Sequence, residues 1–245
     1  MTAPHPDWIV PDWPAPQRVR ALVTTRAGGV SRGPYAWFNL GAHVGDDAAA
    51  VVRNRERLRG LLPADPAWLQ QVHGTEVVDA ASAPAFPRAD AAVARTRHVV
   101  CAVLTADCVP VLLADRDGSA VAVAHAGWRG LAAGVIEAVV ARMAAPAANV
   151  IAWLGPAIGP RAYEVGPEVR AAFVRREAAT AAAFAPHRGD RLLADLFLLA
   201  RQRLAAAGVT AVYGGGHCTY TDADRFYSYR RAPATGRFAS LVWID

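Results

Sequence analysis

The stretch Val99-Val-Cys-Ala-Val-Leu-Thr105-Ala-Asp-Cys108-Val-Pro-Val-Leu-Leu-Ala114-Asp-Arg-Asp-Gly118-Ser-Ala120-Val-Ala-Val-Ala124-His125-Ala-Gly-Trp-Arg-Gly130 contains three apolar runs, 99–105, 109–114 and 120–124. Each is short and rich in valine, and the last two are separated by the turn Asp115-Arg-Asp-Gly118, so they read as strands. Some of them follow one another too closely for helical crossovers. None alternates with polar residues, so their sheet is expected to be covered on both faces. After His125 the period changes: Leu131, Val135, Ile136, Val139, Val140 and Met143 fall on one face of a helix. Strands beside helices with such connections imply an α/β or α+β protein with mixed β-sheets.

The flanks fill in the same pattern. Residues 150–154 read as a strand, Gly155-Pro-Ala-Ile-Gly-Pro160 as a rigid loop, and 191–207 as a helix capped by Asp190 and ended by Gly208. Residues 211–214 and 225–229 are short strand candidates, and 240–244 closes the chain. On the N-terminal side, five prolines in 4–16 make an extended entry, and a strand over 19–25 runs into Arg26-Ala-Gly-Gly-Val-Ser31. Asp46 and Asp47 are placed to cap a helix over 48–62 that Pro63 stops. With no repeat and no linker, a single domain over 1–245 is expected.

Composition narrows the function. Of 245 residues 53% are hydrophobic and 19% charged, which suits a packed globular chain and not a disordered one. The net charge is +5, carried by 26 arginines without a lysine. Those arginines are interleaved with acids, as in Arg53-Asn-Arg-Glu-Arg57, and form no basic tract, which argues against nucleic acid as the partner. Three cysteines, Cys101, Cys108 and Cys218, without framework spacing point to reduced thiols. The N-terminus lacks the basic and apolar regions of a secretory signal, and no apolar run approaches the ~18–20 residues of a membrane span. A cytoplasmic protein is expected.

Three motifs carry chemistry: Gln71-Val-His73-Gly, Ala106-Asp-Cys108-Val-Pro and His125-Ala-Gly-Trp-Arg-Gly130. Each puts one metal-ligand type at the edge of an expected strand. Two imidazoles and a thiolate suit zinc, and three protein ligands leave a position for water or substrate. His73, Cys108 and His125 are separated by 35 and 17 residues, so they meet only if strand ends converge at one sheet edge. Taken singly, each has an ordinary alternative as a structural histidine or an inert buried thiol, which is also the reading for Cys101 and Cys218. Asp107 is a charge between apolar strands, costly unless paired with an arginine or linked to a metal. Gly127 and Gly130 flank Trp128-Arg129 where strand becomes helix, offering N–H groups and a guanidinium to an anion such as phosphate.

With these motifs stand others: Thr24-Thr-Arg-Ala-Gly-Gly-Val-Ser31, Phe38-Asn-Leu-Gly-Ala-His-Val-Gly-Asp-Asp47, Gly155-Pro-Ala-Ile-Gly-Pro160, Tyr163-Glu-Val-Gly166 and Phe226-Tyr-Ser-Tyr-Arg-Arg231. Together they make the chain resemble the YfiH, or laccase-domain, family, whose members have been described as multicopper polyphenol oxidases and as purine nucleoside phosphorylases. The resemblance implies zinc ligands at His73, Cys108 and His125, and one α/β domain with two sheets between helical layers. It implies phosphorolysis of adenosine, inosine and S-methyl-5′-thioadenosine, with adenosine deamination. The chain departs from the family pattern at Arg161-Ala162, where paired cysteines are common, and at Ala200, where asparagine is common.

The leading expectation is thus a zinc-dependent enzyme acting on a purine nucleoside and phosphate. Catalysis is assigned to His73, Cys108, His125 and Arg129; Arg129 and Arg26 are candidates for phosphate, Gln71 and Asn39 for sugar or base, and His43 for an acid or base. A cysteine- or metal-dependent amidase editing a cell-wall precursor stays open, with Cys108 as nucleophile and His73 or His125 as base. A copper oxidase fits less well, because seven histidines without a His-x-His pair do not suit a multicopper centre. A non-enzymatic module closed by His217 or Cys218 as a fourth zinc ligand is the last reading. Oligomeric state is not legible.

Overall fold

In the computed structural model, which describes residues 4–245, the three central apolar runs are strands over Val100–Thr105, Val109–Asp115 and Val121–Ala126, and every residue in them is buried. In chain order the strands are β1 (Val19–Val23), β2 (Pro66–Ala67), β3 (Val77–Asp79), β4 (Ala91–Ala94), β5 (Val100–Thr105), β6 (Val109–Asp115), β7 (Val121–Ala126), β8 (Val150–Leu154), β9 (Glu164–Val165), β10 (Phe184–Pro186), β11 (Leu192–Ala194), β12 (Ala211–Gly214) and β13 (Phe238–Ile244). The α-helices are α1 (Ala48–Arg59), α2 (Trp128–Ala133), α3 (Val135–Met143), α4 (Pro167–Val174) and α5 (Leu196–Ala206).

β6 and β7 pair antiparallel, with Ala114 opposite Val121 and Val109 opposite Ala126. β5 parts from them and joins a second sheet. The six-stranded sheet runs β12-β8-β6-β7-β4-β3 and the four-stranded sheet β1-β13-β5-β2, with β10-β11-β9 a small third. Parallel pairs β12 with β8, β3 with β4, and β2 with β5 make both larger sheets mixed.

Alternation along each strand builds the layers. Val109, Val111 and Leu113 of β6 face the helices with Ala122 and Ala124 of β7, while Leu112, Ala114, Val121 and Val123 face Cys101, Val103 and Val242 of the other sheet. On that sheet's far side, Val100, Ala102, Leu104 and Leu241 meet Phe38, Leu40 and Leu58 of α1. The order is helix, sheet, sheet, helices. At roughly 1.5–3 kcal/mol per buried aliphatic side chain, a one-residue slip in a central strand would exchange its two packing faces and is strongly opposed.

The helices differ in detail from expectation. Asp47 caps α1, accepting the Ala49 N–H at 2.9 Å, but the helix ends at Arg59, where Gly60 bonds back to Glu56. The apolar face after His125 is buried as expected, yet it belongs to two helices, α2 and α3, broken at Gly134 with φ +107°. The helix expected over 191–207 begins late: Leu192–Ala194 pairs as β11, and Asp195 caps α5 by accepting the Leu198 N–H at 2.9 Å. Asp190 lies exposed before it, while Gly208 ends the segment at φ +85° as expected. The strand expected over 225–229 does not form, because its backbone closes local turns such as Phe226 N–H to the Asp222 carbonyl. Among the described residues no helix is long and apolar enough to cross a membrane.

Candidate metal centre

Cys108 immediately precedes β6 and His125 lies in β7, so the register of that pair brings both to one sheet edge beside Gly127. A Cβ at Gly127 would stand 2.8 Å from Cys108 Sγ and 3.0 Å from His73 Cδ2, so only glycine leaves both side chains their places. His73 arrives from the loop between β2 and β3, with its backbone in the left-handed region at φ +59°. The three donor atoms lie within 4.8 Å of one another, with Cys108 Sγ 3.8 Å from His73 Nε2. Donors around a tetrahedral ion, with metal–N near 2.0–2.1 Å and metal–S near 2.3 Å, stand about 3.3–3.6 Å apart. The arrangement fits an ion of borderline softness with little adjustment.

Asp90, the fully buried residue that leads into β4, holds the group together. Its Oδ1 is 2.8 Å from His125 Nδ1 and accepts the His73 N–H at 2.9 Å; its Oδ2 accepts the N–H groups of Val72 at 3.1 Å and Gly74 at 2.6 Å. One carboxylate therefore orients one imidazole, leaving His125 Nε2 for a metal, and fixes the loop that carries the other. Burial works against the Asp90 charge, but the His125 and backbone hydrogen bonds outweigh it and hold its pKa low. Burial likewise opposes the Cys108 thiolate, yet attraction to His125 and hydrogen bonds to both histidines bring the thiol down to about 6. His125 is raised to about 9: burial disfavours its charge, and the Cys108 and Asp90 charges override that.

The donors sit in a cavity of about 490 Å³ that Gln71, Trp128, Arg129, Tyr163, Tyr229 and Arg237 also line, within the size range of small-molecule sites. Of the sequence candidates, His43, Gln71, His73, Cys108, His125 and Arg129 reach it. Arg26 and Asn39 do not. The Arg26 guanidinium donates to the Ala36 and Ala223 carbonyls, and the Asn39 amide, fully buried, is consumed by Gly41, Asp46 and Arg237. Gln71, though on the wall, pairs its amide with the Leu104 backbone at 2.8 Å in both directions. Asp107 is satisfied by the Thr219 hydroxyl at 2.6 Å and the Arg230 backbone N–H at 2.7 Å, not by a guanidinium or a metal.

Neither His217 nor Cys218 joins the donor group. Cys218 Sγ accepts the Gly159 N–H at 3.2 Å, and both residues line a separate cavity of about 460 Å³ together with Arg161. Cys101 lies between the sheets, where burial pushes its thiol far up. Residues not foreseen from sequence are Asp90, Tyr163, Tyr229, Arg230 and Arg237. Asp90 carried a usable signal, a lone carboxylate at the head of the apolar run 89–94.

Residues 20–245 match a family model described as multi-copper polyphenol oxidoreductase laccase. The chain is 58% identical over 239 residues to a purine nucleoside phosphorylase of Pseudomonas aeruginosa, covering 97% of this chain and 98% of that one. It is 55% identical to the purine nucleoside phosphorylase YfiH of Escherichia coli, covering 96% and 98%. A crystal structure of a Neisseria meningitidis protein superposes with a TM-score of 0.95 at 52% identity, covering 98% and 99%.

Proposed function

The chain belongs to the YfiH-like laccase-domain family, and from that membership we propose that it is a zinc-dependent purine nucleoside phosphorylase, a single-domain cytoplasmic enzyme. It takes adenosine, inosine or S-methyl-5′-thioadenosine with phosphate and gives free base and (methylthio)ribose 1-phosphate, with adenosine deamination as a side activity. The observation that carries this reading is a three-donor group, short of the four ligands of a structural site, facing a cavity large enough for a nucleoside. Relatives at 58% and 55% identity that bear the name support the substrate class.

In phosphorolysis a phosphate oxygen bonds to C1′ while the C1′–N9 bond breaks, and its electron pair passes to the purine, which takes up a proton. Tyr163 meets this chemistry as a neutral hydrogen-bond donor, because burial, then the Cys108 and Asp107 charges, push its phenol up against the pull of Arg230 and Arg129. His43 stays neutral, since burial and then the Arg237 and Arg55 charges lower its pKa, so its imidazole can accept a hydrogen bond or a proton. Trp128 and Tyr229 offer aromatic faces for the base. His73, Cys108 and His125 would hold the zinc, which when bound supplies Lewis acidity and a source of hydroxide near neutral pH.

The test is product analysis of zinc-loaded protein with adenosine or inosine, with and without phosphate, beside Cys108→Ala. Phosphate-dependent release of base with ribose 1-phosphate, lost in the variant, supports the reading. Absence of both free base and deaminated product, at one bound zinc per chain, sinks it.

A second reading has its own observation. Cys108 at about pKa 6 beside His73, with His125 bound to Asp90, is also a Cys–His–Asp arrangement suited to a thiol amidase acting on a cell-wall precursor. Activity that survives chelation and dies with alkylation would favour it. A copper polyphenol oxidase needs more imidazoles than this one donor group offers.

A further inference from the structure

The cavity holds more positive charge than its metal donors explain. Arg129, Arg230 and Arg237 line it, and its one carboxylate, Asp107, has both oxygens engaged. Two of these arginines are bonded through their backbone N–H to buried side chains, Asp107 and Asn39. The fully buried Asn39 accepts the Arg237 N–H at 2.9 Å, and Arg237 Nη1 donates to the Thr235 and Gly236 carbonyls at 3.1 and 2.9 Å. Gly41 leaves the side chain its path, since a Cβ there would stand 2.9 Å from Arg237 Cγ.

Arg230 is anchored as firmly. Its N–H donates to Asp107, its Nη1 donates to the Glu164 carbonyl at 2.6 Å, and its guanidinium lies over the Tyr163 ring at 5.1 Å. Asp107 itself adopts φ +97°, a conformation that costs on the order of 1–3 kcal/mol in a residue with a side chain. The chain sustains that strain at the residue that places Arg230. Among the described residues, Nε and Nη2 of both arginines make no hydrogen bond within the protein, so each guanidinium is held by one nitrogen and presents the others.

We propose that Arg230 and Arg237 form the subsite for the phosphate dianion, with Arg129, packed on Trp128 at 4.5 Å, as a further donor. The assignment rests on the phosphorylase reading. Guanidinium forks match the oxygens of a phosphate two at a time, so fixed arginines hold it as one oxygen forms the bond to C1′ and the glycosidic pair leaves with the purine. Asn39 and Gly41 then act through Arg237, as positioning residues that never touch substrate.

The test is calorimetric titration of inorganic phosphate into zinc-loaded wild type, Arg230→Met and Arg237→Met, with KM measured separately for phosphate and inosine. Each variant is expected to weaken phosphate binding and raise phosphate KM about tenfold or more, with inosine KM within about threefold. Arg237→Lys, which keeps charge without the fork, is expected to recover part of the affinity. Circular dichroism and zinc content confirm that each variant keeps its fold. Unaltered phosphate binding in both methionine variants, or a rise confined to inosine KM, overturns the assignment. So does a nucleoside 5′-monophosphate binding through these arginines where inorganic phosphate does not. Arginine-dependent phosphate binding without any ribose 1-phosphate would uphold the anion subsite and sink the phosphorylase reading instead.

Discussion

Asp90 joins His125 through one oxygen and the loop of His73 through both, so its charge reaches Cys108 by way of the imidazolium it supports. In metal-stripped protein the Cys108 thiolate is present above about pH 6 and lost as pH falls through that value, and His125 keeps its proton up to about 9. Alkylation of Cys108 by iodoacetamide, in a Cys218→Ala background, is therefore expected to be half-maximal near pH 6. Asp90→Asn moves that midpoint upward and lowers stability by about 1–3 kcal/mol, because an amide cannot accept from every donor now bound. An unmoved midpoint would refute the relay. Cys108 and His125 were legible because ligand types stood at or beside readable strands, whereas His73, expected at a strand edge, stands on the loop between β2 and β3. Asn39 was misassigned for a plain reason: a sequence shows that an amide is present, not that its hydrogen bonds are already taken.

Elements were legible in proportion to their length. β5, β6, β7 and β8 declared themselves as apolar runs, whereas β2, β9, β10 and β11, of two or three residues, carry no period to read. The aromatic run Phe226-Tyr-Ser-Tyr229 has strand composition, yet its backbone bonds stay local. α4 went unseen although Gly166 and Pro167 open it, as proline at the first helical position allows. For α5 the expected and observed caps are five residues apart, so substitution separates them. Asp195→Ala is expected to cost about 1 kcal/mol in urea denaturation, and Asp190→Ala to stay within about 0.5 kcal/mol of wild type. Equal losses would speak against the cap seen here.

Across the whole molecule, burial of the central runs was readable, but their division between two sheets was not. The chain leaves one sheet for the other between Thr105 and Val109, through the left-handed turn at Asp107, and no composition rule marks that step. The donors that converge beside it come from the six-stranded sheet and from a separate loop, so an ion there joins parts distant in sequence. Zinc is accordingly expected to stabilise the folded state by about 2.7 kcal/mol at a free concentration one hundred times its Kd. For a chain of this size that is a rise in Tm of about 5–11 °C by calorimetry. Cys108→Ala should lack the increment, and an equal rise in that variant would place the ion elsewhere.

The attachment of the three donors also governs how an ion would come and go. Cys108 and His125 ride on the β6–β7 pair at the middle of the six-stranded sheet, with the His125 N–H closed on the Asp90 carbonyl at 2.7 Å, a part of the chain that opens only when everything opens. His73, exposed, stands on a loop held by the Asp90 carboxylate and by the Gln71 amide on Leu104. Release of a bound ion is therefore expected to begin at His73, on the timescale of a loop and not of unfolding. An ion held this way would be able to leave and be replaced without unfolding, so its occupancy would follow the supply around the folded chain and not the conditions under which it first folded.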